Sequence, residues 1–504
     1  MKKAVPKLVG IETEYGVGGG DDTNGRYGRN LRAAELVLSY SGDSHLGFRR
    51  EFLPNGARLY CDHTHVEYST PETRCARTLV AAVKAGDLIV SRGAQLANSR
   101  LGDGRRVVVL ANNSDGQGHS YAGHLNFLVS RDAFDDWFNR RPHVFYMYWI
   151  PHLVTAQLYT GAGKIGAENG ASPVLFQLSQ RADFMETAAI ELQTTHHRPL
   201  VNARDEALAD PRRFARLHVI AFDTNMVEYA LWLKIGTAQL VLAMMEAGFI
   251  RRSLALEDPV QSMREISRDL TLRRKLAMED GTRMTALDIQ EELLLQASRF
   301  VARGFAEDLV PEAKAILEAW TETLVMLRNK RQQLIGRVDW ITKLWLMRLH
   351  RQRHGVEWSD PSMRAIDLQY HNLDPEEGIY HSLVKGGLVV RVVTDREIER
   401  LVEEAPSDSR AYFRGLCLKK FPGRIVRLNW DGLELCSNGV QRWWRTAWLS
   451  LPDPLRPLPE SVKDVGSIDV DELLAVAMEE DAKLRRRKDM QWTYHNAYEY
   501  DGGN

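Results

Sequence analysis

Cysteine is scarce in this chain, with four residues among 504, and Cys61, Cys75, Cys417 and Cys436 form no C-x-x-C pair. That spacing disfavours both a zinc site and a disulfide framework, and a reducing cytoplasm fits it best. Charge of one sign is also missing. With 66 Lys and Arg against 67 Asp and Glu, no overall field argues for nucleic acid or an anionic membrane as partner. A long apolar run is lacking too. The most hydrophobic stretch, residues 229–245, contains Lys234 and repeats with a helical period, so it reads as a buried helix and not a membrane span. The basic start, residues 1–9, has no apolar segment of signal-peptide length, so export is not expected. No internal repeat or low-complexity block stands out.

What is present is the composition of a soluble globular protein, 44% hydrophobic and 26% charged, with length for a large core and more than one domain. Short β-rich runs at 106–110 and 124–129 alternate with helical stretches at 31–40 and 71–95, which predicts an α+β or α/β sheet domain. Beyond about Asp223 helices dominate, at 226–247, 286–303, 311–328 and 338–354, with apolar residues every third or fourth position. Thr285 is placed to cap the second of these. Pro406, Ser407 and Ser409 mark a turn or linker, and probable strands at 425–428 and 444–449 follow. The expected division is therefore 1–404 and a small C-terminal domain, 405–504. The latter ends in a helix at 470–488, whose basic cluster 483–488 suits the C-terminal dipole or an acidic partner.

Two stretches concentrate carboxylates. Residues 10–16 read Gly-Ile-Glu-Thr-Glu-Tyr-Gly, and as a strand they put Ile11, Thr13 and Tyr15 on one face and Glu12 with Glu14 on the other. In 55–72 the same rule groups Leu59 with Cys61, and Arg58 with Tyr60 and Asp62 opposite; Glu67 follows. Carboxylates projecting from neighbouring strands into one pocket would repel one another unless a divalent cation or a metal–polyphosphate complex sits among them. A Glu-x-Glu pair also suits the solvated face of an edge strand, and the pattern by itself leaves both readings open. Residues 112–126 form a glycine-rich polar turn that could cradle phosphate but lack the Gly-Lys-Ser/Thr of a P-loop. Residues 160–166 look superficially like a dinucleotide fingerprint but precede no βαβ unit. His218, in an apolar strand beside Arg216, reads more readily as a core histidine than as a ligand.

Taken together and in order, 10–16, 55–72, 112–126, 177–181, 202–206, 216–220, 368–370 and 409–415 resemble the Dop/PafA family, whose members act on Pup, a small ubiquitin-like modifier. The resemblance runs to about Trp430. It implies an α+β fold of the glutamine synthetase type, a curved antiparallel sheet with helices on one face and a small C-terminal domain, holding ATP and magnesium. Asp62-His63-Thr64-His65 is similar to the depupylase Dop, where the ligase has a pattern one residue longer; 177–183 with 190–195, and 409–415, are similar to Dop as well.

What the resemblance implies is an ATP- and magnesium-dependent amide hydrolase. It would cleave the isopeptide between a Pup-like modifier and a substrate lysine, and deamidate a C-terminal glutamine. By the same resemblance Asp62 is the catalytic carboxylate, Glu12, Tyr60 and Glu67 hold magnesium, and Arg58, Thr70 and Trp430 contact ATP. Glu14, His124, Asn126, Arg204 and His218 are further site candidates. The alternatives are a PafA-like ligase using the same site, and a non-catalytic nucleotide-dependent modifier-binding protein. Three departures accompany the resemblance: Leu125 stands where the family has an acid, Leu208 where it has a histidine, and 17–54 lacks the long Dop-type insertion. The last implies an open site.

Overall fold

The structure, a computed structural model, describes residues 4–19, 25–41, 51–102, 105–190, 198–437, 446–462 and 469–479. Strand β1 (Val9–Gly19) carries the alternation anticipated for it. Val9, Ile11, Tyr15 and Val17 are buried, while Glu12 and Glu14 face the other way. The following strands are β2 (Arg58–Asp62), β3 (His65–Ser69), β4 (Val107–Leu110) and β5 (Gly123–Ser130). After a short ladder of β6 (Lys164–Ile165) with β7 (Phe176–Gln177) come β8 (Thr187–Ile190), β9 (Pro199–Asn202) and β10 (Phe214–Val219). The main sheet runs β2-β3-β1-β5-β10-β9-β8, with β4 paired to the far end of β1. The antiparallel pairing expected from the sequence holds from β2 to β9; the edge pair β8–β9 is parallel.

Helices cover one face. These include α1 (Gly25–Ser41), α2 (Ala76–Arg100), α3 (Arg131–Asp135), α4 (Pro142–Thr160) and α5 (Glu228–Glu246). Nearly every residue of α5 is buried, so it is enclosed all round and not striped. With α2, α4 and the apolar side of the sheet it forms one continuous core. Among the described residues no helix is long and apolar enough to cross a membrane. Helix α2 starts later than its expected 71–95 span, because Thr73 bridges Val9 and keeps the preceding chain extended. Thr285 does cap its helix, in a reciprocal box with Asp288.

After the irregular segment 404–410, helix Ala411–Lys420 and the three-stranded sheet Ile425–Asn429, Gly432–Cys436 and Thr446–Ser450 build a second apolar cluster around Phe413, Leu433 and Leu449. Phe52, far away in sequence, belongs to that cluster. The expected terminal helix is described through residue 479, and its basic cluster 483–488 lies outside the described residues, as do 20–24 and 42–50 of the segment 17–54.

Candidate active site

Register assembles the site. On the face away from the helices, Glu14 stands opposite Glu67 and Glu67 opposite Tyr60. One rung along, Glu12 is flanked by Ser69 and His124. Asp62 pairs with His65 at the end of the β2–β3 hairpin, and Asn126 pairs with His218, which pairs in turn with Asn202. Period-2 alternation on six adjacent strands thus collects acids, imidazoles and amides on one surface. Gly16 shapes its edge, since a β-carbon there would meet the Tyr121 hydroxyl at 2.3 Å.

Two donor clusters result. Ligand atoms of Glu12, His124 and His218 lie within 4.8 Å of one another, and so do those of Glu14, Asp62 and Glu67. Burial, then the charges of Glu12 and Glu14, push the Glu67 carboxyl well above its ordinary range, although the Tyr60 hydroxyl donates to it. Burial also raises Glu12, but His218 and His124 more than offset this and hold it well below the usual range. The His218 Nε2 is buried with no hydrogen-bond partner, 3.6 Å from Glu12. Crowded carboxylates and an orphaned imidazole nitrogen suit hard and borderline divalent cations. Asp62 differs from the other acids in exposure: its side chain is 44% accessible, and His63, in the left-handed region at φ 51°, places Nδ1 3.2 Å from it.

Beside the clusters a cleft is walled by Gly10, Glu12, Thr70 and Arg216 from the sheet and by Arg410 and Trp430 from the C-terminal segment. The Thr70 hydroxyl oxygen accepts from the Ile11 amide at 2.9 Å. Arg58, at the sheet edge, pairs with Glu51 and lies 4.2 Å over the Tyr60 ring.

With this geometry the sequence comparison is decisive: residues 7–434 match the family model described as Pup-ligase protein. The chain belongs to that family. It is 41% identical over 424 residues to a protein named Depupylase from Acidothermus cellulolyticus, an alignment covering 84% of this chain and 82% of that one. It is 37% identical to a Pup deamidase/depupylase from Mycolicibacterium smegmatis, with 84% and 81% covered. To a Pup–protein ligase from Acidimicrobium ferrooxidans it is 38% identical, with 86% and 94% covered. Among solved structures it is similar to the complex between Pup and its ligase PafA, with a TM-score of 0.80, 30% identity and 99% of both chains covered. This family member therefore has the PafA fold.

The site differs from the sequence reading in several particulars. Leu125 is fully buried in the helix-side core, one residue out of step with His124 and Asn126, so an acid there would not enter the site. His218 is no ordinary core histidine, because the register turns it to the polar face. The glycine-rich turn offers few free amides: those of Gly116, Gln117 and His119 bond to Ser114 and Asp115 within the loop. Arg204 is exposed and turned to Glu206, outside both donor clusters. Arg216 was not among the expected site residues, yet its Nη1 donates to Asn126 at 2.9 Å and lies 3.7 Å from Glu12. Arg181, fully buried, lies close enough to Glu14 to feel its charge, and donates to Ser120 at 3.2 Å. Alternation of Arg216 and His218 with Leu217 and Val219 was the available signal for the first; the second closes the segment 177–181 that carries part of the family resemblance.

Proposed function

We propose that the chain is an ATP- and magnesium-dependent depupylase and deamidase, hydrolysing the isopeptide between a Pup-like modifier and lysine, or the terminal amide of the modifier. The observation that carries this is the Glu14, Asp62 and Glu67 cluster beside the cleft, in a chain whose relatives include proteins named for depupylation and deamidation. Glu12, His124 and His218 with Glu14 and Glu67 would hold the cations, and Tyr60 would act through Glu67. Magnesium, when bound, supplies neutralisation of phosphate and oxyanion charge. Thr70, Arg58 and Trp430 would contact ATP; the Thr70 oxygen accepts from the Ile11 amide, which fixes the side chain at the cleft wall. Asp62, the accessible acid, attacks the carbonyl or activates the group that does. Four free thiols suit a cytoplasmic setting, and residues 405–504 are proposed as the small second domain.

A ligase reading has support from the relatives named Pup–protein ligase. Incubation with ATP, magnesium and a purified Pup–substrate conjugate separates the two. Release of Pup is the expected result, whereas new conjugation of free Pup with no release would establish the ligase.

A further inference from the structure

The cleft's outer wall comes from the second apolar cluster, against which Trp430 packs, and from the loop at Leu208, and their polar fastening points converge on one carboxylate. Glu72, just past β3, accepts from Arg410 Nε at 3.0 Å and from both Arg414 terminal nitrogens. Arg410 spends its other two nitrogens on the carbonyls of Leu451 at 2.8 Å and Leu208 at 2.7 Å. Arg414, fully buried, donates to the Trp430 carbonyl at 2.9 Å and to Gly56 at 3.3 Å, with its guanidinium 5.0 Å over the Trp430 ring. Phe52 meets the same indole edge-on at 5.1 Å. The Leu208 loop and Trp430 are thus tied by two cations to a single acid two residues beyond Thr70.

We infer that Glu72, Arg410 and Arg414 form a positioning hub that fixes Trp430 and the Leu208 loop opposite Thr70, setting affinity for a nucleoside triphosphate without touching the reacting atoms. This rests on the proposed nucleotide cleft. Each guanidinium uses its planar fork on Glu72 or on backbone carbonyls, a geometry that lysine cannot reproduce. Loss of the acid leaves two buried cations without the carboxylate that bridges them, and the outer wall then loses its fixed distance from the sheet. Asp62 and the two donor clusters stand within the paired strands and keep their register.

The test is the dependence of conjugate cleavage on ATP concentration. Glu72→Gln is expected to raise the half-saturating ATP concentration at least about tenfold while kcat at saturation stays within about threefold, with Glu72→Asp restoring part of the affinity. Arg414→Lys, which keeps the charge, is expected to give an intermediate rise and serves as the test if Glu72→Gln does not fold. A fall in kcat at unchanged half-saturation, or wild-type ATP dependence in both Glu72→Gln and Arg414→Lys, would overturn the hub. If the wild-type protein itself binds no ATP in a calorimetric titration, the cleft assignment fails and the hub's role fails with it.

Discussion

The Tyr60 hydroxyl donates a hydrogen bond to the Glu67 carboxylate across the β2–β3 register. Burial, and then the Glu67 charge, push the phenol well above its ordinary range. Its hydroxyl therefore orients an acid of the Glu14, Asp62 and Glu67 donor cluster. Tyr60→Phe should raise the magnesium concentration for half-maximal activity by about tenfold, the usual cost of losing a partner behind a ligand. A magnesium titration of cleavage rate checks this; an unchanged midpoint would mean that the bond has no role in holding the ion.

Asp62→Asn removes a charge and keeps the shape of an accessible side chain. Conjugate cleavage should fall by at least about 100-fold, the scale of a lost acid–base or nucleophilic group, with ATP affinity retained. Near-wild-type cleavage would remove Asp62 from the catalytic role.

Glu12 lines the cleft where phosphate charge would arrive, and Glu67 stands one rung further along the same face. ATP affinity measured by calorimetry should collapse in excess chelator, and Glu12→Gln should weaken the metal-dependent part of binding. Equal affinity with and without magnesium would show that these carboxylates do not act through a cation.

Leu125→Glu would restore an acid that the family resemblance led one to miss. Because Leu125 points into the helix-side core, the substitution should destabilise the fold by about 3 kcal/mol or more and add no activity. Thermal unfolding beside a cleavage assay distinguishes this outcome from a gain in turnover, which would place residue 125 in the site.

Glu72 yields a pH prediction with a definite sign. Burial raises its carboxyl, but Arg414 and Arg410 prevail and hold it at about 2, against an ordinary 4.5. Folding thus favours the ionised form: the contribution is whole above about pH 4.5 and is lost as pH falls toward about 2. Its size is on the order of 3 kcal/mol. In urea unfolding, Glu72→Gln should be less stable than wild type at pH 7, and the gap should narrow steadily below pH 4.5. A gap independent of pH would show that Glu72 is not held ionised by its arginines.

The local chemistry of this protein was legible in its sequence. Alternation alone put Glu12 with Glu14 and Arg58 with Tyr60 and Asp62, because a strand's side-chain period is fixed by backbone geometry. The Thr285 cap and the buried helix around Lys234 were readable for the same reason, each being decided within a few residues. Only the tertiary structure decided which strands became neighbours. Register divided the acids into two clusters, brought His218 and Arg216 to Glu12 from about 200 residues away, and turned Leu125 out of the site. It also joined Glu72 to Arg410 and Arg414, more than 300 residues apart. Such pairings depend on strand order and on the packing of a distant helix, and those are properties of the whole core that no window of sequence contains.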